Sequence, residues 1–593
     1  MVLNTIKKDY DLKKVGSNIQ LIPKVLGYLP DQAMLYQLRR LQQHKVNTVY
    51  LLNQHAPPAT IVAVDIETSS KHFLNGEIRL ISVYSEQGSI VTTEVAEVAN
   101  ILADNKVLKV FHNAAFDVTW LKAKGLNVRN YTDTMVMSQI IRNTTKSTNS
   151  LQALSLEYFG IILDKQLQNE SNWQGVLTEA HKTYALRDAE ITLKLYHRLY
   201  QVIQEKCLDV VLNREIRALP AIIEMNVNGI PFDFQGWKTI LEDMSREKEE
   251  IEQEILDFFA SPNLNLSSPK QLREAFGTIG INLPSTKEED LAKYEAEHLM
   301  IGRLCKYKRL NKRISTFGEK LREKIHCDGR VYGNWRLIGT NTSRMSCKEP
   351  NLQGLPSQAK QFVKAPKSCQ FVIADYSTIE LRILAEITQD QELISAFING
   401  EDLHKKTARV IFNYNEEHEV TSEERQIGKV VNFGLIYGMT AYGLQKKITA
   451  ATGVLISLEQ AEIFRNRYFD LYKSVLNYQD RMLKADIIST LGGRYWSKET
   501  SMLKGGAIAR YNYPVQGTGA EGLKEALATL MQHMQPNWKL IAAIHDEIVL
   551  QVPHQDVGKA QKLLVKVMTE GMQTLIPSIP IDIDIKTATH WTK

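Results

Sequence analysis

The sequence predicts a multidomain chain of α/β and α+β units, on three observations. Its 593 residues exceed the roughly 100–200 of one domain several times over, which calls for roughly three to five units. From Thr60 to about residue 205, apolar strand runs alternate with helical patterns, as in a layered α/β domain. Beyond that, long helical stretches are interleaved with apolar strands that end in acids. A content of 44% hydrophobic and 23% charged residues excludes a disordered, collagen-like or disulfide-stapled chain.

Residues 1–58 form a lead of no assignable role, ending at His55-Ala-Pro-Pro, a natural break. Its start, MVLNTIKKDYDLKK, lacks the apolar core of a secretory signal, and its aspartates argue against a transit peptide. No run approaches the roughly 20 apolar residues that span a bilayer, so no membrane partner is expected. The five cysteines are odd in number and never C-x-x-C, which points to a reducing compartment and no zinc ribbon. The net charge of +5 is too small for this length to indicate a partner.

The next element, Ile61-Val-Ala-Val-Asp65-Ile-Glu67-Thr, is a buried strand with two acids on one side at its end. Two carboxylates so close repel unless a cation lies between them, although D-x-E alone reads better as a solvated strand end. Asn113 and Asp117 follow at i, i+4, and Tyr184 and Asp188 lie one helical turn apart. Together, D-x-E, N-x-x-x-D and Y-x-x-x-D in that order resemble the tyrosine-containing DEDD 3′→5′ exonucleases. The resemblance implies an RNase H-like domain over 59–205 in which Asp65, Glu67 and Asp188 hold two Mg²⁺ ions. It further implies that Asp117 supports the second ion and that Tyr184 orients the attacking water.

Residues 241–260 hold eight acids and two bases on a helical pattern, which reads as a solvated face. Charge then reverses: residues 301–325 carry nine bases against two acids, a net of +7 on a helical period. A merely soluble helix stays open, but the one-signed local excess favours phosphate contact, with Lys306, Arg309 and Arg313 as candidates.

Phe371-Val-Ile-Ala-Asp375 is an apolar strand ending in an acid, followed by a helical run through Glu380. Ile541 through Val552 reads as two strands joined by a tight turn bearing His545-Asp546-Glu547. On spacing alone, these acids could converge on metals or be two unrelated acidic turns. Thr421 and Glu424 have capping-box spacing, so a helix starts there. Along it, Arg425, Lys429, Phe433 and Tyr437 recur every four residues, two cations then two aromatics, suiting a ligand with a polyphosphate end and a base end. Phe433 reads equally as a core residue.

These segments, D-Y-S-x-I-E-L-R, R-x-x-x-K-x-x-x-F-x-x-x-Y-G and H-D-E, resemble the motifs of family A DNA polymerases, the bacterial DNA polymerase I type. Arg344-Met-Ser with Pro350-Asn-Leu-Gln353, and Asn512-Tyr-Pro-Val-Gln516-Gly-Thr, resemble the family's primer-template segments. The likeness implies a right-hand polymerase: a connector at 206–235, thumb at 236–330, palm at 331–387 and 500–593, and fingers at 388–499. Asp375, Asp546 and the Tyr376 carbonyl would hold two Mg²⁺ ions, with Mn²⁺ as a substitute and Glu547 as support. One ion would activate the primer 3′-hydroxyl and the other steady the pyrophosphate. Arg425, Lys429 and His404 would bind the triphosphate, and Lys429 would give a proton to the leaving group. Glu380 would exclude a ribose 2′-hydroxyl, Phe433 would pack on the sugar, and Tyr437 would lie near the templating base. Arg344, Asn351, Gln353, Asn512, Gln516 and His545 would follow the primer-template minor groove.

The implied partners are primer-template DNA, dNTPs and a single-stranded 3′ end, bound by a monomer in the cytoplasm of a bacterial or phage-infected cell, or in an organelle. About 58 residues before the nuclease strand are too few for an ordinary 5′-nuclease domain, so none is expected. The competing reading is a 3′→5′ exonuclease whose C-terminal two-thirds only binds DNA. Thr378, Ser343 and Ala543 depart from the family's usual Gln, Gly and Gln. Arg510 stands out of register with the family's Glu-Arg ahead of Asn512.

Overall fold

The computed structural model describes residues 10–15, 18–23 and 60–592, apart from 165, 168, 292, 293, 295–297 and 416. The lead of unassigned role therefore lies largely outside the described residues. Its described part is an antiparallel pair, β1 (Tyr10–Val15) with β2 (Asn18–Pro23). The chain forms two compact units: one of the described residues up to Ile216 together with Ala485–Ser501, the other of Arg217–Lys484 and Met502–Lys593.

The first unit is built on a five-stranded sheet. β3 (Thr60–Thr68), β4 (Ile78–Ser85), β5 (Gly88–Thr92), β6 (Val107–Phe111) and β7 (Tyr131–Asp133) stand in the order β5-β4-β3-β6-β7. β4 runs antiparallel to β3 and β6 parallel to it, so β3 is central and its Val62, Ala63, Val64 and Ile66 are buried. Pleating turns Asp65 and Glu67 to one side and Ile66 to the other. α1 (Ala114–Ala123) follows β6, α2 (Thr134–Arg142) follows β7, and the long α3 (Glu179–Glu205) packs on β3 and β4.

Residues 485–501, which the sequence places mostly at the end of the fingers, belong to this first unit. They form a short hairpin of Ile487–Ser489 with Tyr495–Ser497, held by Arg494. That guanidinium, 1% exposed, donates to Asn143 Oδ1 at 3.0 Å and the Gln139 carbonyl at 3.2 Å, with Glu215 Oε1 3.9 Å away.

In the second unit, α4 (Phe234–Phe258) begins earlier than the acidic run, because Asp233 caps it by accepting from the Gly236 N–H. It packs against α5 (Leu299–Phe317), the basic helix. The helical period was expected to reach residue 325, but Gly318 ends it with ψ −122°. A Cβ at Gly318 would lie 2.4 Å from the Ile314 carbonyl, so this bend requires glycine. The acidic stretch is therefore not only a solvated face. Arg303 Nε lies 3.0 Å from Glu254 Oε2, Lys306 pairs with Glu247, and the Tyr307 hydroxyl donates to Glu252 at 3.4 Å.

The heart of this unit is an antiparallel sheet beginning with β8 (Cys369–Tyr376), which leads into α6 (Ile379–Thr388). The helical pair α7 (Leu403–Phe412) and α8 (Ser422–Ile436) follows. α9 (Lys498–His533) enters from the first unit and is interrupted at Gly505 and Gly506. β9 (Lys539–Ile544), β10 (Glu547–Pro553) and β11 (Ile583–Ala588) complete the sheet in the order β9-β10-β8-β11, with α10 (Val557–Gln573) against it. Register puts Glu547 and Asp584 on either side of Asp375.

Candidate active sites

The first site sits at the end of β3. Single carboxylate oxygens of Asp65, Glu67 and Asp188 lie within 4.8 Å of one another. Asp117, on the first turns of α1, accepts from the Ile66 N–H at 3.3 Å, which draws it beside the pair. Tyr184, one turn before Asp188 on α3, bonds to the Asp188 carboxyl. All five residues singled out from the sequence thus meet at one place.

Burial and mutual repulsion oppose ionisation here. Burial, then Asp188 and Asp117, push Glu67 up to about 9. Burial raises Asp188 to about 6, with the Tyr184 hydroxyl acting against that rise. Asp65 and Asp117 are raised well above the carboxylate range, burial being the largest cause for each. Buried Asp65 Oδ2 has no hydrogen-bond partner. Four crowded carboxylates with an orphaned oxygen fit a hard divalent cation, which takes oxygen donors and cancels the repulsion.

The second site lies where β8 meets the turn between β9 and β10. Tyr376 N–H donates to the Asp546 carbonyl at 3.3 Å, fixing the turn against the end of β8. His545 takes φ 56°, the left-handed value the tight turn needs. Burial raises Asp546 to about 6; Arg344 acts against that rise, while Glu380 and Glu547 add to it. Acids far apart in sequence therefore share one field, a donor set that also suits a divalent cation.

Glu547 is anchored by residues that sequence reasoning missed. Trp591 Nε1 donates to its Oε1 at 2.9 Å, and Lys360 Nζ lies 3.6 Å from that oxygen and 4.3 Å from the Trp591 ring centroid. Neither residue belongs to any motif. Asp584, opposite Asp375 on the last strand, was equally unmarked, although the alternating Ile-Asp-Ile-Asp-Ile run signals a strand.

Beside these acids, Arg344 Nη2 donates to Glu380 Oε1 at 2.7 Å, and the Tyr437 hydroxyl donates to Glu380 Oε2. Gln516 also bonds Tyr437. Arg344, Gln353 and His545 line one small recess with Met345, Ala520 and Leu523. Asn512 Oδ1 is buried without a partner, and Asn351 stays exposed.

α8 begins with the expected capping box: Thr421 N–H donates to Glu424 Oε2 at 2.8 Å and Glu424 N–H to Thr421 Oγ1 at 3.2 Å. Arg425 donates to Asp402 Oδ2 at 2.7 Å, and buried His404 stands 5.8 Å from Phe433, ring to ring. His404 is pushed down to about 4 by burial and then by Arg425, with Lys429 adding to the effect. The three residues expected on a triphosphate therefore share one neighbourhood. On α5, Lys306 pairs with Glu247, Arg313 donates to Gln358 at 3.5 Å, and Arg309 and Lys312 are exposed.

Two departures from the family pattern occupy unusual backbone. Ser343 has φ 66° and is fully buried, its carbonyl accepting from Lys524 Nζ at 2.7 Å, and Thr378 has φ 51°. A β-branched side chain rarely adopts that conformation. Arg510 is fully buried and donates to the Met482 carbonyl at 2.6 Å.

Comparison with known proteins decides the family. Residues 235–593 match DNA polymerase family A, more than half of the chain. The chain belongs to DNA polymerase family A. Residues 41–204 match the 3′-5′ exonuclease family, so this family A member is a DNA polymerase that carries an exonuclease domain. The DNA polymerase I of Aquifex aeolicus is 31% identical, over 87% of this chain and 94% of that protein. The DNA polymerase I of Borreliella burgdorferi is 30% identical over 90% of this chain, which spans 62% of that relative's length. In fold, the chain is similar to the POL domain of Pol1 from M. smegmatis in complex with DNA primer-template and dNTP. That likeness has a TM-score of 0.77 at 24% identity and covers 91% of this chain and 97% of that one. The polymerase match covers the region that the competing reading treated as a DNA holder, and favours the polymerase. Both family activities depend on metal, and among the described residues no helix is long and apolar enough to cross a membrane.

Proposed function

We propose that this family A polymerase extends a primer at the Asp375–Asp546 site and removes mismatched 3′ ends at the Asp65–Glu67–Asp117–Asp188 site. The observation that carries the reading is the convergence of Arg344, Glu380, Tyr437 and Gln516, from four separate segments, beside Asp546. Mg²⁺ is the ion the oxygen donors suit, two per site: Asp375, Asp546 and the Tyr376 carbonyl in one, Asp65, Glu67, Asp117 and Asp188 in the other. Bound there, the ions would supply Lewis acidity to the attacking hydroxyl or water and to the departing oxygen.

The chain's own groups do the rest. Arg425, His404 and Lys429 bind the triphosphate, and Lys429 protonates the leaving pyrophosphate. Glu380, fixed by Arg344 and Tyr437, occupies the space beside the sugar and excludes a 2′-hydroxyl, while Phe433 packs on that sugar. Arg344, Asn351, Gln353, Asn512, Gln516 and His545 follow the primer-template, and exposed Arg309 contacts the backbone with Arg313 and Lys306 in support. Tyr184 orients the water for excision. In domain terms, 59–205 is the exonuclease, 206–235 a connector, 236–330 the thumb, 331–387 and 500–593 the palm, and 388–499 the fingers, whose last residues from 485 belong to the first compact unit. The protein works as a monomer in the cytoplasm.

Separate substitutions test the two sites. Asp375→Asn is expected to abolish primer extension and leave excision intact; Asp65→Ala with Glu67→Ala should do the converse. Extension by Asp375→Asn at the wild-type rate would overturn the assignment.

A further inference from the structure

The carboxylate of Asp117 stands in the exonuclease site because α1 begins where it does. The first N–H groups of a helix have no partner within it. Asn113, just before α1, takes φ 80° and supplies no side-chain cap. The Asn113 and Ala114 N–H groups donate instead to Asp133, at 3.1 Å to Oδ1 and 2.8 Å to Oδ2. Asp133 ends β7, in register with Phe111 at the end of β6, so its side chain reaches the start of α1 directly. Its Oδ1 also accepts from Met135 N–H at 2.8 Å and Val136 N–H at 3.3 Å, capping α2. One carboxylate, 1% exposed, thus holds four backbone N–H groups from two helix starts. Both helix dipoles favour a negative charge there. A second tether lies alongside: His112 Nδ1 and Thr134 Oγ1 are 2.9 Å apart, and Thr134 Oγ1 donates to the Phe111 carbonyl at 3.2 Å.

We propose that Asp133 is a positioning residue for excision: it fixes the start of α1 and so holds Asp117 against Asp65 and Glu67 in the arrangement that takes the metal. The inference rests on the reading of Asp117 as a metal-site residue. Asp133 touches no reacting atom. Groups that orient ligands typically change metal affinity or activity by about 10- to 100-fold when removed. A carboxylate that merely holds the corner between β7 and α2 would change stability alone.

The test uses the full chain with Asp133→Asn, Asp133→Ala and, as reference, Asp117→Ala. Three readouts are compared: Mn²⁺ binding by calorimetry, amide exchange over residues 113–117 in metal-free protein, and excision against MgCl₂ concentration. Primer extension reports on folding. Asp133→Asn keeps the volume but turns an NH₂ group toward one of the N–H donors. It is expected to speed exchange at 113–117 by tenfold or more. Mn²⁺ affinity and the Mg²⁺ requirement for excision should each worsen by about tenfold, with the KM for DNA and primer extension within twofold to threefold of wild type. Asp133→Ala should be worse in the same direction, and if it does not fold, Asp133→Asn alone carries the comparison. Wild-type Mn²⁺ affinity and Mg²⁺ requirement in Asp133→Asn would overturn the proposal while the reading of Asp117 stood. Full excision by Asp117→Ala would overturn that reading and the proposal together.

Discussion

Trp591→Phe is the most informative single change outside the motifs. Trp591 is 1% exposed and donates to Glu547 Oε1 at 2.9 Å, while Lys360 Nζ sits over its ring. Phenylalanine keeps an apolar ring but no N–H, so Glu547 retains Lys360 alone. A hydrogen bond to a charged group contributes about 1.5–3 kcal/mol. The weaker cation–π contact forfeits up to about 1 kcal/mol more. A loss of roughly 2–4 kcal/mol follows, and with an unfolding entropy of about 2.1 cal/mol/K per residue over a unit of about 360 residues the second unit should melt roughly 3–5 °C lower in calorimetry. Glu547 follows Asp546 directly and faces Asp375 in register, so its loosening reaches the two acids proposed for primer extension. If about 2 kcal/mol of that is felt in the transition state, the turnover of primer extension falls about 30-fold. Excision, carried on the other unit, should not change. Wild-type melting and turnover would refute the reasoning; parallel loss of excision would show general unfolding instead.

Three further outcomes follow from particular contacts. Glu424 is pushed down from 4.5 to about 2, chiefly by the Thr421 N–H it accepts. Because the folded value lies below the unfolded one, its support of the α8 start is complete above about 4.5 and lost as pH falls through about 2. Amide protection at 422–425 should fall across that window, and Glu424→Gln should abolish the pH dependence. Thr378→Gly removes a β-branched residue from φ 51°, worth about 1–2 kcal/mol against up to about 1 kcal/mol of added chain entropy. Urea unfolding should show a gain of roughly 0.5–1 kcal/mol, and a loss would mean that the side chain has a partner worth more than the strain. Lys312→Ala, an exposed base on α5, should lower the salt slope of DNA binding by about one, whereas Lys306→Ala, already engaged by Glu247, should lower it by less. Equal slopes would show that Lys306 leaves Glu247 when DNA binds.

What the sequence reveals and what it hides divide along physical lines. Asp65 and Glu67, or Tyr184 and Asp188, are legible because a strand or helix period fixes their common side before any tertiary contact forms. The α8 stripe is legible for the same reason, and Thr421 with Glu424 marks its start. Contacts between elements carry no such period. Arg425 pairing with Asp402, Trp591 with Glu547, and the acidic α4 with the basic α5 depend on how elements pack. Arg494 is hidden for another reason. Its partners Asn143 and Glu215 lie hundreds of residues away, so nothing near 485–501 signals that this hairpin belongs to the exonuclease unit.

The two sites solve the problem of crowded carboxylates differently. Around Asp65, the groups that shift its protonation are burial and three other acids, Glu67, Asp188 and Asp117, with no cation among them. Around Asp546, Arg344 opposes burial directly and also engages Glu380, so part of the repulsion is cancelled by the chain itself. The first arrangement would leave almost all the neutralisation to a metal ion; the second would share it with an arginine. Removing divalent ions should therefore lower the melting of the exonuclease unit more than that of the polymerase unit. Asp65→Asn, which takes one anionic oxygen donor from the proposed metal site and so weakens metal binding there, should shrink that difference, and calorimetry with EDTA or MgCl₂ decides it. An equal metal effect on both units would show that Arg344 does not share the load.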